Sequence, residues 1–215
     1  FIDLPSMDVP TQALMRILFS EKNLQSSMNV GFKGNPNIGS VVLNQIVESD
    51  EFVAFANSFA SGDKIFIVSS IFGGTGASGF PLLLKTLRTN REMPNNDLIN
   101  KAEIGAITLL PYFKLEPSDV SEIDSSTFIS KTKSALAYYE NNISQNGSIN
   151  ALYYLGDDVS NIYQNHEGGS MQQNDAHLVE FLAASAVVDF CNKEHSETVN
   201  KELGLRNLVD SVTFD

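Results

Sequence analysis

Residues 64–81 read KIFIVSSIFGGTGASGFP. Lys64 to Ser70 is a short β-branched run, apolar at nearly every position, the pattern of a strand covered on both faces in a parallel sheet. From Gly73 onward, four glycines fall within seven residues, which predicts a glycine-rich turn over Ile71–Gly79. Pro81 then opens a helix through Arg88, placed near the first turn where a missing N–H costs nothing. Strand, glycine turn and helix in this order make a phosphate-binding arrangement. The glycines let the backbone approach an anion, several N–H groups point at it, and the helix N-terminus adds its positive dipole end. Gly73, Gly74, Thr75, Gly76, Ser78 and Gly79 are therefore candidate phosphate ligands, Thr75 and Ser78 through hydroxyl donors. The plain alternative is a tight turn at the end of a buried strand.

Upstream, residues 10–20 read as a short amphipathic helix. Gly31 to Gly39 reads as a loop, because Pro36 and three glycines argue against a regular element there. Ser40 to about Phe59 has helical spacing with a break near Asp50. Downstream, Arg91 to Lys101 is polar, contains Pro94 and reads as a surface connection, and Ala102–Leu110 is the next strand. Asp124 or Ser125 caps a helix running through Asn141. Ala151–Leu155 is a third strand, followed by Gly156-Asp157-Asp158. Asp175 caps a long apolar helix from Ala176 to about Cys191, and its small residues Ala183, Ala184, Ser185 and Ala186 predict close packing on more than one side. Strands alternating with helices predict an α/β fold with three layers, a mostly parallel sheet and helices on both of its faces.

The chain has 215 residues and a formal net charge of -12, with 42% hydrophobic residues. That suits one domain or slightly more, with enough apolar material for a core. The acidic balance argues against nucleic-acid binding, which needs clustered Lys and Arg on phosphates. The apolar runs are too short for a membrane span. Cys191 is the single cysteine, so neither a disulfide framework nor a cysteine zinc site is expected. The chain lacks H-E-x-x-H and G-x-S-x-G, so metalloprotease and serine-hydrolase readings have no support. Cys191 and His195 are too few for a metal site, and the N-x-S matches at Asn142 and Asn146 read as coincidence in a chain without a leader. No basic-then-apolar leader precedes Phe1, and a cytoplasmic protein is expected.

Three phosphate-loop classes compete. A Walker loop requires Gly-Lys-Ser or Gly-Lys-Thr, which is absent. Thr75-Gly-Ala-Ser-Gly79 is similar to the T-G-x-x-G turn of short-chain dehydrogenases and keeps an NAD(P)-binding oxidoreductase open, although none of the six tyrosines has a lysine four residues later. Phe72-Gly-Gly-Thr-Gly-Ala-Ser-Gly79 resembles the G-G-G-T-G-[SA]-G signature of the tubulin/FtsZ family, with Phe72 in place of the first glycine and one residue extra before Gly79. Lys33-Gly-Asn-Pro-Asn-Ile-Gly39 has the shape of that family's upstream loop, Gly156-Asp-Asp158 that of its acid–amide loop, and Asp175–Cys191 that of its core helix, with His177-Leu-Val179 echoing a common string.

The resemblance implies a tubulin-like nucleotide-binding domain over 31–191, preceded by an N-terminal helical segment (1–30) and followed by a tail or the start of another domain (192–215). It implies GTP or GDP with Mg²⁺ as ligands, and self-association into a homo-oligomer or filament. Gly34 and Asn35 join the phosphate contacts. Asp157, Asp158 and Asn174 become candidates for base or ribose, with a solvated turn as the ordinary alternative for the two aspartates. Lys33 is the one cation in these loops and reads as a solvated lysine or a phosphate contact. The family's catalytic acid lies in a G-x-x-N-x-D loop, for which Gly204–Asp210 is the nearest string. That makes Asp210 the one candidate for GTP hydrolysis, against an ordinary helix end. The family's first glycine-rich loop has no counterpart before Gly31, so Phe1 reads as a cut within the fold or the sign of an upstream segment. A non-enzymatic interaction domain with a degenerate nucleotide site is the third reading.

Overall fold

The computed structural model describes residues 3–27, 31–117, 125–144, 146–164 and 176–193, together with the backbone of 202–206 and 210–214. A 3-10 turn at Leu4–Ser6 leads into α1 (Val9–Leu18) and α2 (Glu21–Gln25), then α3 (Pro36–Leu43) and α4 (Asp50–Ser58). The strand β1 (Ile65–Ser70) is followed by α5 (Gly74–Thr89), the single turn α6 (Asn96–Ile99) and β2 (Ile104–Leu109). After β3 (Lys114–Leu115) come α7 (Phe128–Tyr139), β4 (Ala151–Leu155), β5 (Ile162–Tyr163) and α8 (Leu178–Asn192). The antiparallel pair β6 (Glu202–Arg206) and β7 (Asp210–Phe214) is the last of the described elements.

The chain is an α/β protein built on a parallel sheet. Its strands lie in the order β1-β2-β4, with Ile65 opposite Ile104 and Ile107 opposite Tyr153. Side chains alternate across a strand, and the two faces have separate cores. Ile65, Ile67, Ile104 and Ala106 cluster with Phe80, Leu84 and Leu87 of α5 and with Phe128 and Tyr139 of α7. Ile107 and Leu109 cluster with Val179 and Ala183 of α8. The Phe190 ring of α8 lies 5.3 Å from that of Phe66. A Cβ on Gly105 would stand 2.7 Å from the Phe190 ring, so the glycine lets α8 settle onto the middle strand.

Several expectations are corrected here. β1 is an edge strand, and on its α8 side Phe66 packs on Phe190 while Val68 is 59% exposed, so that face is covered only in part. α8 is apolar all round, yet among the described residues it packs on one side only, leaving Leu178, Phe181 and Val188 at 60% exposure or more. Residues 91–101 are more than a surface connection: Met93 and Ile99 are buried, and the Asn95 side chain donates to the Ala56 carbonyl at 3.0 Å. β3 and β5 pair in parallel as a small second sheet that no sequence pattern announced. The helix expected from Asp124 or Ser125 starts at Phe128, and the Ser125 hydroxyl instead accepts from the Leu115 N–H at 3.2 Å; Asp124 lies outside the described residues.

The N-terminal segment forms a satellite core. Leu4, Phe19 and Leu24 pack with Phe32 and Ile38, so α1 and α2 brace the stretch that carries Gly31 to Gly39. At the other end, α8 begins at Leu178, and its N-cap is His177, whose Nδ1 accepts from the Val179 N–H at 3.1 Å. Asp175, the cap expected from sequence, lies outside the described residues. Replacing a capping group by alanine costs ~1 kcal/mol. His177→Ala is therefore expected to lower the unfolding free energy by that amount, read as a lower urea midpoint at constant slope, while His177→Asp restores it. Equal midpoints for all three proteins would remove the capping role.

Candidate phosphate-binding site

α5 starts at Gly74, not near Pro81, so the glycine turn is only the short link from Ile71 to Gly73 and most of the motif is helical. Gly76 explains the early start. A Cβ there would lie 2.5 Å from the Ser70 carbonyl oxygen and 2.7 Å from its nitrogen, both backbone atoms of β1. Only glycine lets the helix leave directly from the strand end. Pro81 then sits inside α5, where it forfeits one backbone hydrogen bond. Gly74, Thr75 and Gly76 consequently supply the first-turn N–H groups, which have no intrahelical acceptor.

The second loop arrives from the other side. Gly31, Lys33 and Gly34 have φ of 64°, 47° and 74°, all left-handed, and successive N–H groups in such a loop form a concavity suited to anions. α3 begins at Pro36, correcting the expectation that 31–39 holds no regular element: proline is tolerated at a first helical position. Gly39 is within α3, and a Cβ on it would overlap Ser78 Oγ and the Phe32 ring. A Cβ on Gly74 would stand 2.8 Å from the Asn35 nitrogen. The N-termini of α3 and α5 thus meet at glycine contacts, beyond the C-terminal end of β1.

Their N-caps, Asn35 and Gly73, make no side-chain capping bond. α1, α2, α4 and α8 are capped by Asp8, Ser20, Ser49 and His177, whereas α6 and α7 share the uncapped condition. The two helix starts lie next to each other, and neither has a capping side chain on its first-turn donors. Thr75 is exposed, and its Oγ1 lies 3.2 Å from the position a Gly31 Cβ would take, so that hydroxyl sits between the loops.

Not every candidate residue keeps its expected role. The Ser78 hydroxyl is buried and donates to the Gly74 carbonyl at 2.7 Å, tying the first turn of α5 together. Gly79 faces α3, where a Cβ would lie 3.2 Å from Leu43 Cδ1, so it serves packing. The Asn35 N–H donates to the Phe32 carbonyl at 2.7 Å, which closes the loop and occupies that donor. Gly34 is buried, and its carbonyl accepts from Lys131 Nζ at 3.0 Å. Lys131 on α7 is thus a second cation at these loops besides Lys33. No local sequence signal marks it, because 97 positions separate the partners.

Asp157 and Asp158 are exposed on the loop after β4, at the same end of the sheet, with Asp157 Oδ1 accepting from the Asp158 N–H at 2.7 Å. Strand spacing puts them about 10 Å from the end of β1, two strands away. An aromatic group fills part of that edge: the Tyr112 ring lies 4.8 Å from His177, and Phe113 lies 5.6 Å from Phe72 and 5.8 Å from Tyr163. Burial, helped by the Glu180 carboxylate that accepts from its hydroxyl, pushes the Tyr112 phenol up to about 12. Asn174 lies outside the described residues. Of the Gly204–Asp210 string, 204–206 end β6 and Asp210 opens β7 instead of lying at a helix end, and 207–209 lie outside the described residues. α8 stops at Asn192, before His195, which also lies outside the described residues. Among the described residues, no three His, Cys, Asp or Glu side chains group as metal ligands, and no helix is long and apolar enough to cross a membrane.

Compared with known proteins, the chain matches no protein-family description, and no curated protein matches it.

Proposed function

We propose that the chain is a tubulin/FtsZ-like guanine-nucleotide-binding protein, a three-layer Rossmann-like domain whose two glycine loops hold the phosphates of GTP or GDP. One observation carries the reading: the Gly31–Asn35 loop and the start of α5 come from distant parts of the chain and meet, with the position of a Gly74 Cβ 2.8 Å from the Asn35 nitrogen and no capping side chain on either helix. A dinucleotide turn of the T-G-x-x-G kind needs one such loop, whereas the resemblance to tubulins requires both. In this reading the backbone N–H groups of Gly74, Thr75 and Gly76 and the Thr75 hydroxyl bind phosphate oxygens, and Lys33 and Lys131 offset charge in a chain of net charge -12. Mg²⁺ would be held chiefly by the phosphates and water. Asp157 and Asp158 lie on the strand edge where base or ribose would extend. Nucleotide-dependent self-assembly, with hydrolysis, is the activity the resemblance carries.

Calorimetric titration with GTP, with and without Mg²⁺, tests the proposal. Thr75→Ala is expected to weaken GTP roughly tenfold, the loss of one hydrogen bond to a charged group, with an unchanged circular dichroism spectrum. Absence of GTP and GDP binding would refute the reading, and saturable NADPH binding in its place would move the site to the dinucleotide class. Sedimentation that does not distinguish GTP from GDP would remove the assembly step alone.

A further inference from the structure

Beside the glycine loops, α3, α5 and α7 border a groove of about 900 Å³. Its size lies within the range of small-molecule sites. The groove carries Lys85 and Arg88 from α5 and Lys131 from α7, and neither Asp nor Glu is among its lining residues. This is unexpected in a chain with 26 acidic residues against 14 Lys and Arg.

The cations are satisfied in an unusual way. Arg88 donates from Nε to the Ser148 carbonyl at 2.6 Å, from Nη1 to the Asn100 and Ala102 carbonyls, and from Nη2 to Asn150 Oδ1. Every one of these acceptors is neutral. Burial alone holds the Arg88 pKa below its ordinary value, with no carboxylate to oppose it. Lys131 uses one of its three donors on the Gly34 carbonyl. Among the described residues, none of the three has a carboxylate partner. Neutral acceptors complete hydrogen bonds but cancel no charge, and no carboxylate among the described lining residues offsets these cations. Pro81, Leu82 and Tyr138 line the same space with apolar surface.

We infer that this groove binds a small organic anion, a carboxylate or phosphate ester with an apolar body. The head group lies at Lys85 and the one remaining donor of Arg88, three residues apart on α5, and the body lies against Leu82 and Tyr138. The inference does not depend on what the glycine loops hold.

Amide chemical shifts of the isotope-labelled chain test it with three probes: 4-phenylbutyrate, phenyl phosphate and the neutral 4-phenylbutan-1-ol. Shifts are read at Lys85, Ser134 and Tyr138, away from the first turn of α5. Both anions are expected to move these amides saturably, with the alcohol at least tenfold weaker. Lys85→Met, at an exposed position that leaves folding intact, is expected to weaken the anions roughly tenfold without changing the alcohol. A response to the phosphate but not to the carboxylate keeps the site and narrows the head group. The proposal fails if the alcohol binds as well as the anions, if neither anion moves these amides, or if the Lys85→Met variant binds unchanged. It also fails if a glutamate-rich peptide alone moves them, since the groove would then be a protein-docking surface.

Discussion

Gly76→Ala is expected to destabilise the chain by about 3 kcal/mol, the size of an overpacked core substitution with no flexible side chain to yield. The added methyl group would meet the Ser70 backbone at 2.5 Å, so either the end of β1 or the first turn of α5 must move. Both carry the candidate site, and both anchor the face formed by Phe80, Leu84 and Leu87. Urea denaturation should show a large fall in midpoint with little change in slope. Gly79→Ala is the internal comparison, because its methyl would meet only the Leu43 Cδ1 tip at 3.2 Å, a side-chain atom that can turn away. Equal midpoints for the two variants would mean that the close approach of α5 to β1 is not tight in solution.

The second large effect is expected at Arg88. Its guanidinium joins the end of α5 to the carbonyls of Asn100, Ala102 and Ser148 and to Asn150 Oδ1, the residues that lead into β2 and β4. Asn150 Oδ1 also accepts from the Ile104 N–H at 2.8 Å, so the same side chain sets the first residue of β2. Arg88→Leu removes all the donors together and leaves carbonyls without partners, at a cost of about 3 kcal/mol or more. Arg88→Lys is expected to recover only part of this, because an ammonium on a flexible stem does not reproduce a planar fork spanning several acceptors. Full recovery by lysine in the same urea assay would show that charge, not geometry, is what this position supplies.

The strand–glycine–helix order at Lys64–Arg88 was legible in the sequence because β-branched runs and glycine clusters act locally. The parallel sheet, though not its strand order, could be anticipated from the alternation of elements, and the two halves of the candidate site could be marked separately. Helix boundaries were not legible where glycines serve close packing instead of turning. Gly39, Gly76 and Gly79 lie inside helices against propensity, because neighbouring backbone or side chains occupy the space a Cβ would take. Pro36 and Pro81 misled for a related reason: one sits at a first helical position and the other within a helix that tertiary packing sustains. Lys131 and Arg88 could not be found from motifs, since their partners are far away in the chain. The exposure of Phe181 and Val188 also escaped composition, which reports that a helix is apolar but not what stands opposite it.

The meeting of the Gly31–Asn35 loop with the start of α5 has a thermodynamic consequence. These segments are 42 positions apart, counting from Gly31 to Gly73, and only the folded chain holds them together. A ligand that uses both therefore has no affinity for the unfolded chain, and mass action makes it a stabiliser of the whole fold. At a free concentration 100 times its dissociation constant, such a ligand adds ~2.7 kcal/mol, on the scale of the losses expected at Gly76 or Arg88. The melting temperature of the chain would then report ligand concentration, and the proportion of folded molecules would follow the supply of whatever fills the loops.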